Sequence, residues 1–396
     1  MRQTALWITA REPLAFPQSK PGTQFRASLP YVPGAAMFGA IGQALADLGR
    51  FDPAVLLGLR CRNAYPAYDG DVWTRPLPAT AIHPKGEEEQ LEDSLIQRVC
   101  WERQRPAALL FAPVDSGGRP HEGARQRFYT VREGKPVLRQ ITQRIHTRVA
   151  INRRRATAED RQLYSFFTLS ERMYGSHDHP AAFAGSIASV QVEHDDEWQQ
   201  LLALAMTIGR LGARQTTGIG AVTVEETTWP GGAGIRERVE TLTQRFRQQI
   251  DRYVHLGGAP WELGEHQIFT VNLLSDTILL RDGWLPTQEL TPELLRTATR
   301  DERAGYPGID AVLVRAFTTT RIVGGWNVLW QRPKETHVAV QYGGVYLFES
   351  QAPLNDADYA ALERLEIDGI GERRPEGFGQ VRICDEFHLM DVGGTA

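Results

Sequence analysis

The sequence has few cysteines, few lysines and no long apolar run. Three cysteines occur in 396 residues, with no C-x-x-C pair and no histidine at metal-ligand spacing beside them. A disulfide framework and a structural zinc site are therefore not encoded, and Cys61, Cys100 and Cys384 are predicted to be small core residues. No run of about 18 apolar residues and no signal-peptide core occurs, so we expect a cytoplasmic protein with no membrane partner.

The basic residues are almost all arginines and are unevenly distributed. Lysine contributes four of the 44 basic residues, which leaves 40 arginines, and the formal net charge is -4. The segment 98–172 nevertheless holds 16 basic and 7 acidic residues, directly after an acidic run at 87–93. A GC-rich genome would explain abundant arginine, but arginine also grips phosphate and stacks on bases. The charge pattern favours a local nucleic-acid surface on a protein that otherwise faces protein partners.

An internal duplication is the strongest pattern in the sequence. Residues 211–224 read LGARQTTGIGAVTV, and residues 370–383 read IGERRPEGFGQVRI, at a constant offset of 159. We call residues 211–220 the first glycine loop and residues 370–379 the second glycine loop. The matched positions are Gly212 and Gly371, Arg214 and Arg373, Gly218 and Gly377, and Gly220 and Gly379.

The flanks of the two copies predict the same elements. Apolar residues at helical spacing precede each copy, at 198–208 and 356–365, and an alternating run after each copy predicts a final strand. Each half also begins with a predicted strand, at 5–9 and 268–274. Each half therefore begins with a strand and ends with a helix, a glycine loop and a strand.

The middle of the second half completes the predicted fold. A strand is expected at 311–317, and a hairpin of 337–341 with 345–349 around Tyr342-Gly343-Gly344. The order βαββαβ predicts an α+β protein made of two ferredoxin-like, RRM-like domains in tandem, with a long insertion in the first. The predicted boundaries are an N-terminal domain at 1–229 with a basic insertion at about 60–180, a linker and charged helix at 230–264, and a C-terminal domain at 265–396.

The glycine loops are the first candidate site. Glycines let the main chain approach a phosphate, and consecutive N–H groups form an anion-binding concavity to which an arginine adds charge. The loops precede strands and no Gly-Lys-Ser/Thr motif occurs, so nucleotide cofactors are disfavoured. A second candidate is the turn Val32-Pro33-Gly34, which leads into a small-residue helix ending near Leu48. Its free N–H groups suit a phosphate, and the alternative is close packing through Gly39, Gly42 and Ala46.

Four motifs resemble those of the RAMP superfamily of CRISPR-associated proteins. V-P-G-A-A-M-F-G-A at 32–40 resembles the superfamily's I-P-G-S turn, and the second glycine loop resembles its glycine-rich loop. H-T-R-V-A-I-N at 146–152, and G-G-W-N at 324–327 with Pro333-Lys334 and G-V-Y-L-F at 344–348, are similar to segments of type III subunits that hold the crRNA 5′ end. Within the superfamily, these motifs most resemble the large RAMP of type III-D systems. Ala35 and Phe38 depart from the first motif, which leaves only main-chain N–H groups for a phosphate there.

The resemblance implies a crRNA-binding subunit of a type III effector ribonucleoprotein. It would hold the 5′ handle and join the large polymerase-cyclase subunit to the backbone RAMP subunits, and through them contact target RNA indirectly. No cofactor and no metal are expected. The predicted RNA-binding residues are Arg148, Arg153, Arg154, Arg155, Arg214, Gly218, Gly220, Lys334, Gly371, Arg373, Arg374, Gly377 and Gly379.

Two other functions stay open. Some RAMP proteins cleave repeat RNA with a histidine, and His146 in the basic segment is the best candidate, with His177 and His179 in a polar loop. Asp69 and Asp71 flank a glycine, a pattern common in loops without metal. We expect no catalytic residue, and the remaining alternative is a purely protein-bridging subunit.

Overall fold

The computed structural model describes residues 1–18, 25–68, 72–105, 110–152, 154, 157–176, 178–192, 194–327 and 332–390. Seven α-helices lie in this part of the chain. They are α1 (Gly34–Asp47), α2 (Pro53–Gly58), α3 (Leu95–Gln104), α4 (Asp195–Met206), α5 (Ile235–His255), α6 (Pro292–Thr299) and α7 (Asp356–Asp368).

Most strands are short, and nearly all of them pair antiparallel. The first half contains β1 (Arg2–Ala10), β2 (Phe25–Arg26), β3 (Leu59–Cys61), β4 (Tyr65–Tyr68), β5 (Val72–Trp73), β6 (Arg75–Pro76), β7 (Ala81–Pro84), β8 (Glu92–Asp93), β9 (His121–Gly123), β10 (Phe128–Arg132), β11 (Lys135–Arg139), β12 (Gln143–Asn152), β13 (Thr157–Leu169), β14 (Ala182–Ser189) and β15 (Val222–Thr227). The second half contains β16 (Ile268–Leu273), β17 (Leu279–Arg281), β18 (Leu285–Thr287), β19 (Ala311–Phe317), β20 (Thr320–Val323), β21 (Trp326–Asn327), β22 (Arg332–Pro333), β23 (His337–Val340), β24 (Val345–Ser350) and β25 (Val381–Ile383). Helices and antiparallel sheets confirm the α+β class.

Each half is built on one main antiparallel sheet. The first has the order β15-β1-β14-β4-β5, with β3 also paired to β14, and the second has the order β19-β24-β16-β25. The small sheets are β8-β7-β9, β11-β10-β6, β12-β13-β2, β17-β18, β20-β23 and β21-β22. The opening strand of each half therefore lies between the final strand and the strand before the last long helix.

The two sheets pair in the same register. In the first, Ile8 lies opposite Val224 and Leu6 opposite Gly185. The corresponding pairs in the second are Val271 with Ile383 and Phe269 with Phe348. The duplication found in the sequence therefore extends to the pairing of the opening strand with the final strand, because Val224 and Ile383 are matched positions of the repeat.

Local sequence explains the helices of this framework. Met37, Ile41 and Leu45 form the buried stripe of α1, with the four-residue spacing of one helix face. Acids at 195–197 occupy the first turn of α4, where they favour the helix dipole. At α7, Asn355 and Asp358 form a reciprocal capping box.

Each half has a large hydrophobic core of its own. One packs β1, β14 and β15 against α1 and α4, and the other packs β16, β24 and β25 against α5, α6 and α7. Helix α3, which lies within the predicted insertion, contributes Leu95, Val99 and Cys100 to the second core. The insertion is thus anchored on the opposite half of the chain.

The cysteines are core residues, as predicted. Cys61, Cys100 and Cys384 are free and buried. Burial raises the thiol pKa of each to about 12, so all three are protonated at neutral pH.

Two local predictions are wrong. The strands at 337–340 and 345–350 do not form a hairpin: β23 pairs with β20, whereas β24 pairs with β16 and β19. Both edges of β24 are already occupied, which leaves no edge for β23. Packing of α1 through Gly39 and Ala46 is also wrong, because Ala46 is exposed and no atom lies within 4 Å of an added Gly39 Cβ.

No helix in the described ranges is long and apolar enough to span a bilayer.

Candidate nucleic-acid interface

The two glycine loops have the same backbone conformation. Arg214 has a φ of 64° and Arg373 a φ of 55°, and Gly218 and Gly377 follow at 74° and 88°. A short 3-10 turn lies between arginine and glycine in each loop. A left-handed arginine is uncommon, so its recurrence in both copies marks a shared backbone requirement.

Both loops are fastened to the chain that follows the opening strand of their half. Equivalent main-chain bonds hold them, at 2.9 to 3.0 Å. The donors and acceptors are Ala213 N to Ala15 O and Gly220 N to Pro13 O in the first half, and Glu372 N to Ile278 O and Gly379 N to Asp276 O in the second. Each loop also rests on a small apolar cluster that includes Ile219 or Phe378.

The first glycine loop exposes its tip, residues 215–218, and lies beside the hairpin of β12 and β13. The guanidinium of Arg214 lies 4.1 Å from the ring centroid of Phe166, and that of Arg148 lies 5.6 Å from it. The ring of His146 stacks on the same phenylalanine at 5.2 Å. We call these four residues the Phe166 cluster. It joins an arginine of the basic segment to the arginine of the first glycine loop.

Strand alternation places these side chains. His146 and Arg148 lie two residues apart on β12, on one face of the hairpin, and His146 lies directly opposite Phe166 on β13. Ile145 and Val149 point to the other face, where they are 59% and 42% exposed. The hairpin therefore presents a cationic, aromatic face toward the first glycine loop.

Glu376 of the second glycine loop pairs with two nearby cations. Glu376 accepts from Arg373 at 2.8 Å and from Lys334 at 2.6 Å. Burial raises the pKa of Glu376, whereas its bonds with Arg373 and Lys334 lower that pKa. The lowering is the larger effect, so the pKa of Glu376 lies below its usual value. Thr217 occupies the equivalent position in the first glycine loop, so that loop has no carboxylate there.

The tip of the second glycine loop packs against the first half. A Cβ on Gly377 would lie 2.7 Å from the carbonyl oxygen of Cys61 and 3.0 Å from Cα of Gly34. Asn63 accepts a hydrogen bond from the Gly34 N–H at 2.8 Å. The turn Val32-Pro33-Gly34 is therefore a joint between the halves. Its Gly34 N–H is committed to a side chain, so the proposed phosphate contact at that group is wrong.

Arg374 also takes part in this joint. It pairs with Asp368, which accepts from Arg60 of β3 at 2.6 Å. Gly371 and Gly379 lie at the base of the loop, where an added Cβ would meet the carbonyl oxygens of Ile278 and Ile370. Among the predicted residues of the second glycine loop, Gly377 and Gly379 are buried.

The acidic run that precedes the basic segment pairs with part of it. Glu87 pairs with Arg119 at 2.6 Å, and Glu88 pairs with Arg127. Within the segment itself, Arg144 pairs with Glu171 at 3.1 Å. These ion pairs therefore offset part of the positive charge of the basic segment, and Arg148 of the hairpin lies in the Phe166 cluster. Of the predicted tip arginines, Arg154 is exposed, and Arg153 and Arg155 lie outside the described residues.

Phe166 is the central residue that sequence analysis missed. It is 3% exposed, so it reads as an ordinary core residue of an alternating strand. The available signal is its place in the F-F pair of the strand that follows the basic tip.

Of the candidate histidines, His146 has structural partners and His179 lies on the surface. His146 Nε2 lies 3.0 Å from Thr168 Oγ1 while its ring stacks on Phe166. His179 is exposed, and His177, Asp69 and Asp71 lie outside the described residues. Within the ranges that the structure describes, no group of three histidine, cysteine or acidic side chains is arranged to hold a metal ion.

Two family models match the chain, one in each half. The RAMP superfamily model matches residues 25–223, and the model of the CRISPR-associated protein (Cas_Cmr3) matches residues 231–385. None of the curated proteins matches in sequence.

Several solved structures are similar at low identity. A chain of type III-B Cmr-beta bound to cognate target RNA and AMPPnP is 12% identical, with 87% of this chain and 86% of that chain covered and a TM-score of 0.42. A chain of a type IV-B CRISPR complex is 16% identical, with 59% and 93% covered and a TM-score of 0.27. A Cas6 product complex is 13% identical, with 53% and 79% covered and a TM-score of 0.28.

Proposed function

Since the chain belongs to the RAMP superfamily, we propose that it is a non-catalytic RNA-binding subunit of a type III CRISPR effector complex. It holds the 5′ handle of the crRNA and joins the large polymerase-cyclase subunit to the backbone RAMP subunits. The Cas_Cmr3 match over the second half supports the type III assignment. Membership of the superfamily confirms the resemblance of the sequence motifs.

The strand order supports two tandem ferredoxin-like domains. In the first half, β1 lies between β14 and β15, and β14 also pairs with β3 and β4. In the second half, β16 lies between β24 and β25, and β24 also pairs with β19. With α1 and α4 in the first half and α6 and α7 in the second, the chain order is βαββαβ twice. RRM-like sheets of this type are common platforms for single-stranded RNA.

The Phe166 cluster is the observation that carries the RNA-binding proposal. Arg148 and Arg214, 66 positions apart in the sequence, converge on one aromatic ring beside an exposed glycine loop. Guanidinium groups bind phosphates and stack on bases, and Gly218 leaves the main chain open at the tip. No atom lies within 4 Å of an added Gly218 Cβ, so a backbone phosphate can approach there. We place the RNA on the first glycine loop and the hairpin, including Arg153, Arg154 and Arg155.

The second glycine loop has a different part in this proposal. Its cations are paired with Glu376 and Asp368, and its tip packs on Gly34. Arg373, Arg374 and Lys334 therefore act in RNA binding through the joint between the halves, by keeping the first half in place.

Salt-dependent RNA binding tests the proposal. If about five phosphates are neutralised, log affinity falls against log salt with a slope of about -3.5, since each single-stranded contact contributes about -0.7. The double variant Arg148→Ala/Arg214→Ala should weaken crRNA binding by about tenfold or more and flatten the slope by about 1.4. Arg236→Ala is the matched control, because Arg236 lies 4.0 Å from the ring of Tyr359 on the second half.

Two results would overturn this assignment. An unchanged slope in the double variant would show that the Phe166 cluster does not contact RNA, and assembly without any RNA crosslink to the first glycine loop would favour a bridging subunit. Specific cleavage of labelled repeat RNA that His146→Ala abolishes would make the protein an endoribonuclease.

A further inference from the structure

An open cleft of about 550 Å³ lies between the two halves, away from the first glycine loop. The first half contributes Arg2, at the start of β1, whereas the first glycine loop is bonded to Ala15 beyond the other end of that strand. Nine residues of strand span roughly 25 Å, so the cleft and the Phe166 cluster are separate sites. Its charged lining residues are Arg2 from the first half and Arg300, Asp301, Arg303, Arg364 and Asp368 from the second.

Positive charge exceeds negative charge in this cleft. Four arginines and two aspartates line it, and outside the lining Asp195 pairs with Arg2 and Glu302 with Arg300. Of the two carboxylates, Asp368 is bound from outside the lining by Arg60 and Arg374, which more than neutralise it. The C-terminal ends of α6 and α7 also reach the cleft. Each carries a partial negative charge of about half a unit, which offsets part of the positive charge. The local field therefore remains positive and favours an anion.

The arginines of the second half are held loosely by their own carboxylates. Arg300 lies 3.5 Å from Glu302, and Arg364 lies 3.7 Å from Asp301, both beyond a short ionic hydrogen bond. Among the described residues, Arg303 makes no ion pair. Guanidinium groups that line one cleft without tight partners have N–H donors left for a ligand.

We propose that this cleft binds a small polyphosphate ligand of the nucleoside polyphosphate class. Planar guanidinium forks match phosphate oxygens in bidentate fashion, and several of them suit a ligand with more than one phosphate. The volume lies within the range of about 300–1,000 Å³ typical of small-molecule sites. Because both halves line the cleft, a bound ligand would also contact both halves.

Titration calorimetry of the full chain with ATP and with inorganic pyrophosphate tests the proposal. Both should bind, with AMP weaker and adenosine weakest, because the affinity comes from the phosphates. Arg300→Ala/Arg303→Ala should weaken ATP and pyrophosphate binding by about tenfold or more, and Arg300→Lys/Arg303→Lys should weaken it less. These side chains are exposed, so the variants should fold, and circular dichroism with a melting curve checks this.

The controls distinguish this site from the RNA surface. Arg281→Ala removes an exposed arginine outside the cleft and should leave both titrations unchanged. Arg148→Ala/Arg214→Ala should also bind ATP normally. The proposal fails if neither ATP nor pyrophosphate binds, if the cleft variants bind both as the parent does, or if the hairpin variant loses them.

Discussion

The first and second glycine loops share backbone angles and main-chain bonds but differ in what surrounds them. The tip of the first is exposed and its arginine lies over Phe166, whereas the tip of the second packs on Gly34 and Cys61 and its arginine bonds to Glu376. Duplication has kept the conformation and changed the environment. One copy suits a charged ligand, and the other is suited to hold two halves of a protein together.

Small sequence differences accompany this divergence. Glu376 corresponds to Thr217, and Arg374 corresponds to Gln215. Two ion-pairing residues in the second glycine loop thus replace two neutral ones in the first. Burying the second glycine loop requires its charges to be paired, because an unpaired buried charge costs several kcal/mol.

The largest expected effect is on the free energy of unfolding, when the matched glycines Gly377 and Gly218 are each replaced by alanine. Gly377→Ala should cost about 3 kcal/mol or more, because it forces a left-handed alanine and a clash with backbone atoms. Gly218→Ala should cost about 1–2 kcal/mol, the left-handed penalty alone, since no atom lies within 4 Å of the added Cβ. Urea unfolding of both variants measures this. Equal losses would contradict the assignment of only one tip to the joint.

A smaller effect is expected from importing the carboxylate of the second glycine loop into the first. Thr217→Glu places an acid three residues after Arg214, as Glu376 follows Arg373. RNA affinity should fall about fivefold to tenfold, while stability changes by about 0.5 kcal/mol or less because the site is exposed. Thr217→Gln controls for side-chain size in the same filter-binding assay. If both variants bind RNA equally, the charge of the first glycine loop is not what matters.

The smallest expected effect is on acid stability. Because the folded pKa of Glu376 lies below its usual value of 4.5, its contribution is complete above that value and is lost as pH falls through the folded pKa. Glu376→Gln should therefore lower stability at pH 7 by about 1 kcal/mol and flatten the decline below pH 4.5. Melting curves from pH 7 to pH 3 measure both effects.

Glu386→Gln is the control for the loss of stability below pH 4.5. Burial raises the pKa of Glu386, but Arg75 and Arg382 lower it more, to about 2. Its loss should reduce the same decline without altering the second glycine loop. A parent-like decline in Glu376→Gln would show that Glu376 is not ionised against Arg373 and Lys334.

Much of the fold followed from local pattern, and the failures have a common cause. The helices at 195–206 and 356–368 carry their own start signals, and the strands at 311–317 and 381–383 lie where alternation predicts them. The hairpin at 337–349 failed because strand pairing is a competition between partners distant in sequence. Tyr342-Gly343-Gly344 is a good local turn, yet β16 and β19 occupy the edges of β24.

The candidate site divides in the same way. Arg148 and Arg214 could be selected from the basic segment and the repeat, but their meeting at Phe166 depends on the hairpin lying against the loop. The neutralisation of Arg373 had a visible signal, the glutamate three residues later. The other partner of that glutamate, Lys334, lies 42 residues before it and could not be assigned from spacing.

By itself the sequence determined that one unit occurs twice, with glycines and an arginine at positions that demand left-handed backbone. That information is local, because φ and ψ preferences belong to each residue and its neighbours. Only the tertiary structure decided which copy meets solvent. That choice rests on contacts such as Gly34 with Gly377, more than 300 residues apart, which exist once both cores have formed.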